Sequence, residues 1–393
     1  MSNLYRSAIS ARLAKLPDLP PLEDEESDTL RELPTGLGPP AVPRRTPRPK
    51  AARPPNPDFA PISAEGFFAD ALQVDVPERG LDVRVYYTPP GNGTVLVCTH
   101  GAGYSGLSFA CLAREVREVG RGEVGVLAVD SRGHGKTRTT ENNEGQNADM
   151  DLSITTLAAD LLATLLAVFP DPATAPTLLL VGHSMGGAVA VRACPLVQDA
   201  GYRVTGVAVI DVVEGTALAA LPHMHALLNA RPDGFASVEE AVEWTVKTKA
   251  IRNPHSARVS VPCTLVRPPG EGEKEGSGEK EKPVEWVWRT PLRGTAPFWE
   301  GWYTALSTDF LALRTARLLV LAGTTGLGED RLDRPLTIAQ MQGKFRMEVV
   351  QGVGHVVHED DPTRTADVLL DFWRRNDRLR SGLPPKVRGV GEA

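Results

Sequence analysis

The chain has 393 residues, 41% hydrophobic and 23% charged, with a formal net charge of −6 and an isoelectric point near 5.8. This is the balance of an ordinary globular protein, and its acidity argues against nucleic acid as the partner. No apolar run reaches the ~18–20 residues of a membrane helix, and the N-terminus lacks the apolar core of a signal peptide, so neither a membrane nor a secreted location is expected.

Residues 1–58 are dense in proline, with an acidic run at Glu23-Asp24-Glu25-Glu26 and a basic one from Arg44 to Arg53. Such a segment buries too little apolar surface to offset its ordering entropy and reads as disordered. From residue 59 the pattern changes. Short apolar runs predict strands at 83–87, 95–99, 124–129, 177–181, 204–210, 318–322 and 347–350. Helical patterns lie between them at about 108–119, 153–168, 186–199 and 363–375. Alternating strands and helices predict an α/β fold, a mostly parallel sheet with helices on both faces. The runs 83–87 and 95–99, joined by Pro89-Pro90-Gly91-Asn92-Gly93, read as an antiparallel hairpin. The alternation stops between Val212 and Arg317. That stretch, about 213–316, reads as a helical cap over the sheet's C-terminal edge. Inside it, a low-complexity loop at 268–283 reads as disordered. The main domain is expected to end near 378, with a flexible tail at 379–393.

The four cysteines, Cys98, Cys111, Cys194 and Cys263, form no CxxC pair. They read as buried reduced thiols, in keeping with cytoplasm or nucleus. No HxxxH or HExxH pattern appears, so neither metal nor cofactor is expected.

The chemistry concentrates at Gly182-His183-Ser184-Met185-Gly186-Gly187. This is G-x-S-x-G between a predicted strand and a predicted helix, the context of a nucleophile elbow on the α/β-hydrolase fold. The small residues permit a strained turn that lifts the Ser184 hydroxyl above the sheet. A serine needs a base. His355, in Gly352-Val353-Gly354-His355 after the last strand, stands where the chain order of this fold puts one, with His358 as its competitor. His183 is expected to point away from the site, and His100 and His134 to shape the pocket. The acid that orients the histidine is either Asp211, at the end of strand 204–210, or Asp330 or Asp333 in the later loop; pattern alone leaves the choice open. Asp130 reads as structural or pocket-lining. Two backbone N–H groups would hold the oxyanion, Met185 after the nucleophile and Ala102 in His100-Gly101-Ala102-Gly103-Tyr104.

Five blocks carry a resemblance: VGHSMGG (181–187), IDVVEGT (210–216), IRNPHSARVS (251–260), LTIAQMQGKF (336–345) and GHVVHE (354–359). Together, over about 59–375, they resemble the protein phosphatase methylesterase family. The resemblance implies Ser184, Asp211 and His355 as the catalytic triad. It also implies hydrolysis of the methyl ester on the C-terminal leucine of the protein phosphatase 2A catalytic subunit, and binding that holds this subunit inactive. The loop at 100–104 departs from members richer in glycine there. Two other readings stay open: a phosphatase-sequestering protein that docks through the cap aromatics Trp286, Trp288, Phe298, Trp299, Trp302 and Tyr303, and a generic small-ester hydrolase.

Overall fold

A computed structural model describes residues 54–91, 93–140, 150–268, 285–323 and 331–377. The chain divides into two units, Met1–Ala51 and Ala52–Ala393. The first lies outside the described residues, and the fold belongs to the second. The disorder expected at 1–58 falls outside the described residues as far as residue 53. The loop expected at 268–283 does so from 269 on, and so does the whole tail at 379–393.

Among the described residues the centre is one sheet of nine strands: β1 (Asp70–Val76), β2 (Leu81–Thr88), β3 (Thr94–Thr99), β4 (Val124–Val129), β5 (Arg138–Thr139), β6 (Thr177–His183), β7 (Val204–Ile210), β11 (Ala316–Gly323) and β12 (Arg346–Gln351). The numbers β8 (Gly234–Phe235), β9 (Leu265–Val266) and β10 (Trp286–Trp288) belong to a separate small sheet. The order across the large sheet is β1-β2-β4-β3-β6-β7-β11-β12, with β5 on β2. Every pairing from β4 to β12 is parallel, while β2 runs antiparallel to β1, β4 and β5.

Two cores flank the sheet, and side-chain alternation divides β6 between them. Leu178 and Leu180 join one apolar cluster, and Leu179 and Val181 the other. The first face is covered by the helices Ile154–Val168 and Met185–Asp199, the second by Ala110–Val119 and Pro362–Asn376. Each fully buried aliphatic side chain adds about 1.5–3 kcal/mol. Both outer helix starts are capped from sequence: Ser153 accepts the Thr156 N–H, and Asp361 the Arg364 N–H.

One expectation is corrected. The strands at 83–87 and 95–99 do not form a hairpin, because β4 lies between them. All six residues of β3 are buried. A strand apolar on both faces takes an interior place between parallel neighbours, here β4 and β6. The antiparallel hairpin is instead β1–β2.

Between β7 and β11 lie the helices Glu214–Asn229, Val238–Lys247, Pro254–Ser260, Trp299–Tyr303 and Leu306–Ala312, and the small antiparallel sheet β8-β10-β9. Trp299 and Trp302 are buried, and the Trp302 indole N–H donates to the Leu152 carbonyl. Trp288 is half-buried, packed edge-on to Phe235 and Trp244, with the Arg231 guanidinium over its ring. Among the described residues, no helix is long and apolar enough to cross a membrane.

Candidate active site

The C-terminal ends of β3, β6, β7 and β11 converge, as ligand-binding edges do in open α/β sheets. Ser184 follows β6 directly and begins the helix Met185–Asp199, with φ 52° and ψ −120°. Only five non-glycine residues among those described have positive φ, and Ser184 and Asp211 (φ 53°) are two of them. Such backbone costs of order 1–3 kcal/mol and persists where the surroundings impose it. Here they do. The Ser184 N–H donates to the Ile210 carbonyl, and the Asp211 N–H to the Val320 carbonyl. Gly186 seats the turn against the neighbouring strand, where a Cβ would run into the Thr99 carbonyl.

Asp211 is 5% exposed, and its Oδ2 lies 2.8 Å from His355 Nδ1. Its Oδ1 accepts the Ala322 N–H at 2.8 Å and the Arg331 Nη1–H at 2.5 Å. Burial alone would raise this carboxyl. The His355 hydrogen bond and charge, the Arg331 guanidinium and the Ala322 N–H outweigh it and hold the group below the usual carboxylate range. Of the other candidate acids, Asp333 caps the helix Arg334–Met341 through the Leu336 N–H and bonds Ser307 Oγ at 2.5 Å. Asp330 lies outside the described residues.

The His355 ring is half exposed. Its loop is tied down by residues far away in the chain. Asp360 accepts the Gly354 and Arg252 N–H groups, each at 2.6 Å, and Ser256 Oγ donates to the Glu359 carbonyl at 2.8 Å. The blocks 251–260 and 354–359 are therefore one packed unit. Burial of Glu359 pushes its carboxyl up to about 8.

Four more histidines surround this loop. His183 meets the His355 loop: its Nε2–H donates to the His355 carbonyl at 3.0 Å, and the two rings lie 4.7 Å apart. Alternation along β6 aims it away from Ser184, and the fold brings the His355 loop to it. His358 is fully buried, stacked on Phe109 at 4.4 Å, and far from offering a base to solvent. His100 and His134 are buried braces rather than pocket walls. His100 Nε2 accepts the Ser131 N–H, so its Nδ1–H donates to the Gly101 carbonyl; His134 Nδ1 meets the Arg132 carbonyl. Burial drives His100 and His358 down to about 3 and His134 to about 4. Asp130, also buried, accepts the Gly106 and Lys136 N–H groups, so its role is structural.

Met185 is the first residue of its helix, so its N–H has no intrahelical acceptor. The facing loop comes close: a Cβ on Gly101 would lie 3.2 Å from Ser184 Cβ. Ala102 is next in that loop and has no positive φ. The Tyr303 phenol, from the segment between β7 and β11, lies beside the Ser184 side chain. Among the described residues, no hydrogen bond joins Ser184 Oγ to the His355 ring. Sequence reasoning placed Tyr303 only among the cap aromatics and missed Arg331 altogether.

A family model described as the alpha/beta hydrolase family matches residues 96–368. The protein phosphatase methylesterase 1 of Cryptococcus neoformans is 43% identical to this chain, over 100% of the chain and 96% of that protein. That of Aspergillus fumigatus is 40% identical, over 98% and 92%. The chain belongs to the protein phosphatase methylesterase family. It is thus a carboxylic ester hydrolase on an α/β-hydrolase fold. Solved structures of that fold agree in architecture. An esterase of M. tuberculosis superposes with a TM-score of 0.53 at 20% identity, covering 77% of this chain and 90% of that one. E-2-(acetamidomethylene)succinate hydrolase does so with 0.56 at 19%, covering 77% and 98%. In this methylesterase the elbow, the Asp211–His355 pair and the Gly101–Ala102 approach all lie at one sheet edge.

Proposed function

We propose that this methylesterase hydrolyses the methyl ester on the C-terminal leucine of a protein phosphatase 2A catalytic subunit, with Ser184 as nucleophile, His355 as base and Asp211 as its orienting acid. The observation that carries the reading is the 2.8 Å contact between His355 Nδ1 and the buried Asp211 carboxylate, beside a serine in elbow geometry. Asp211 accepts a hydrogen bond from the Nδ1–H and leaves Nε2 free to accept one. The Ser184 hydroxyl turns to Nε2 and attacks the ester carbonyl. Its proton passes to His355, and the Met185 and Ala102 N–H groups stabilise the oxyanion. The tetrahedral centre collapses, the bond to the methoxy oxygen breaks, and His355 returns the proton to give methanol. Water then attacks the acyl-serine by the same route, releasing the carboxylate and restoring Ser184. The segment at 213–316 serves as the cap, and Met341-Gln342-Gly343 help form the rim that receives the peptide tail.

The aromatic docking surface is not favoured, since Trp299 and Trp302 are core residues. A phosphatase-binding face is better supported on the helix Arg334–Met341, where Met341 is 81% and Ile338 46% exposed. Mass spectrometry of a methylated phosphatase incubated with each protein tests the reading. Ser184→Ala is expected to retain less than about a thousandth of the wild-type demethylation rate. Equal rates would refute the nucleophile assignment.

A further inference from the structure

The Asp211 carboxylate shares its charge between two partners. Oδ2 faces His355, while Oδ1 meets Arg331 Nη1 at 2.5 Å and the Ala322 N–H at 2.8 Å. Only 4% of the Asp211 side chain is exposed and 21% of that of Arg331, so solvent screens the pair weakly. A buried carboxylate needs its lone pairs filled, and a guanidinium bond is about twice as strong as a neutral one.

We propose that Arg331 is a positioning residue for the ester hydrolysis. It fixes the plane in which Asp211 meets His355 Nδ1, and it limits how much of the carboxylate's charge the imidazolium receives. This inference rests on the triad reading above. Arg331 follows β11 and reaches across to the acid at the end of β7, the neighbouring strand. Its own segment is tied at the other end. Asp333 bonds Ser307 Oγ, and the Ser307 and Ala305 N–H groups donate to the Glu214 carboxylate at 2.9 and 3.0 Å. Glu214 lies three residues after Asp211, so the acid and the segment that carries Arg331 are braced against each other. The other charged and titratable groups around the pair are His183, His358 and the Arg252–Asp360 pair beside Gly354. Among the described residues, none of these bonds Asp211, and Arg331 is the one cationic side chain, apart from a protonated His355, that does.

Removing Arg331 acts in a definite direction. More of the Asp211 charge then faces the imidazolium, so the base holds its proton more tightly. The acid limb of the pH–rate profile moves to higher pH. A freed carboxylate also orients His355 less well, so kcat falls while substrate binding is spared.

The test uses the full chain as wild type, Arg331→Gln, Arg331→Lys and Ser184→Ala. The readouts are p-nitrophenyl acetate hydrolysis and the rate of Ser184 labelling by a fluorophosphonate, from about pH 5 to 9. Arg331→Gln is expected to lose on the order of tenfold in kcat, with KM changed less than about twofold. Its acid limb should move to higher pH. Arg331→Lys, which keeps the charge, should return the limb to its wild-type position and recover rate to within about threefold. A glutamine variant with wild-type kcat and limb overturns the inference. So does a loss that leaves the limb unmoved and that lysine shares in full, since that marks a purely structural role. A Ser184→Ala protein that still hydrolyses the ester sinks the triad reading instead. An inert Ser184→Ala beside an unaffected Arg331→Gln sinks only this inference.

Discussion

The Ser184 hydroxyl has two neighbours that could take its hydrogen bond, the Tyr303 phenol beside it and the His355 base. In the proposed reaction the hydroxyl must face His355 rather than Tyr303 when it gives up its proton. Burial raises the Tyr303 phenol, with the neighbouring Ser184 hydroxyl opposing, so it stays protonated across the working range. A hydrogen bond between the two hydroxyls contributes a net ~0.5–1.5 kcal/mol, equivalent to about two- to tenfold in rate. Tyr303→Phe is therefore expected to label with fluorophosphonate about two- to tenfold faster than wild type. A slower variant would mean that the hydroxyl assists the reaction rather than holding the serine back.

At the scale of elements, the elbow depends on how closely β6, β3 and the helix Met185–Asp199 approach one another. Gly186 has no room for a methyl group against the Thr99 carbonyl, whereas a Cβ on Gly294 would meet nothing within 4 Å. Gly186→Ala should therefore cost about 3 kcal/mol and Gly294→Ala less than about 0.5 kcal/mol. Urea unfolding midpoints separate the two, and equal midpoints would contradict this packing. The same closeness explains what was legible in the sequence. The elbow is local, so G-x-S-x-G between a strand and a helix announces it. The doubly buried strands β3, β4 and β6 are legible as unbroken apolar runs. β1 goes unread although Leu72, Val74 and Val76 alternate with Gln73 and Asp75, because it is a short edge strand whose first four residues are exposed and whose pattern stops at Pro77. Nor is the order β2-β4-β3, since chain neighbours need not be sheet neighbours. The acid was undecidable by pattern because Asp211 and the loop after β11 end on adjacent strands. Arg331 was invisible for the same reason: its partner is 120 positions away.

Over the whole molecule, the site is surrounded by buried histidines that folding keeps neutral. Burial lowers His100 and His358 from 6.5 to about 3 and His134 to about 4, and it lowers His183 as well. An unfolded chain protonates these rings below about pH 6.5, while the folded one does not. Their contribution to stability is thus complete above that pH and is lost as pH falls towards the folded values. Two buried acids act oppositely. Asp130, raised to about 6, and Glu359, raised to about 8, hold protons in the fold that the unfolded chain releases, so they favour the fold at lower pH. Four histidines against two acids leave a net loss of stability between about pH 6.5 and 5. His358 is the cleanest place to test this. Neither of its ring nitrogens has a hydrogen-bond partner among the described residues, and its ring stacks on Phe109. His358→Phe keeps an aromatic ring there and removes the titration. The fall in unfolding free energy between about pH 7.5 and 5 is expected to shrink by about 2 kcal/mol in the variant, as read from urea melts at each pH. Parallel curves for the two proteins would show that His358 is already protonated in the fold, and that the buried histidines do not set its acid limit.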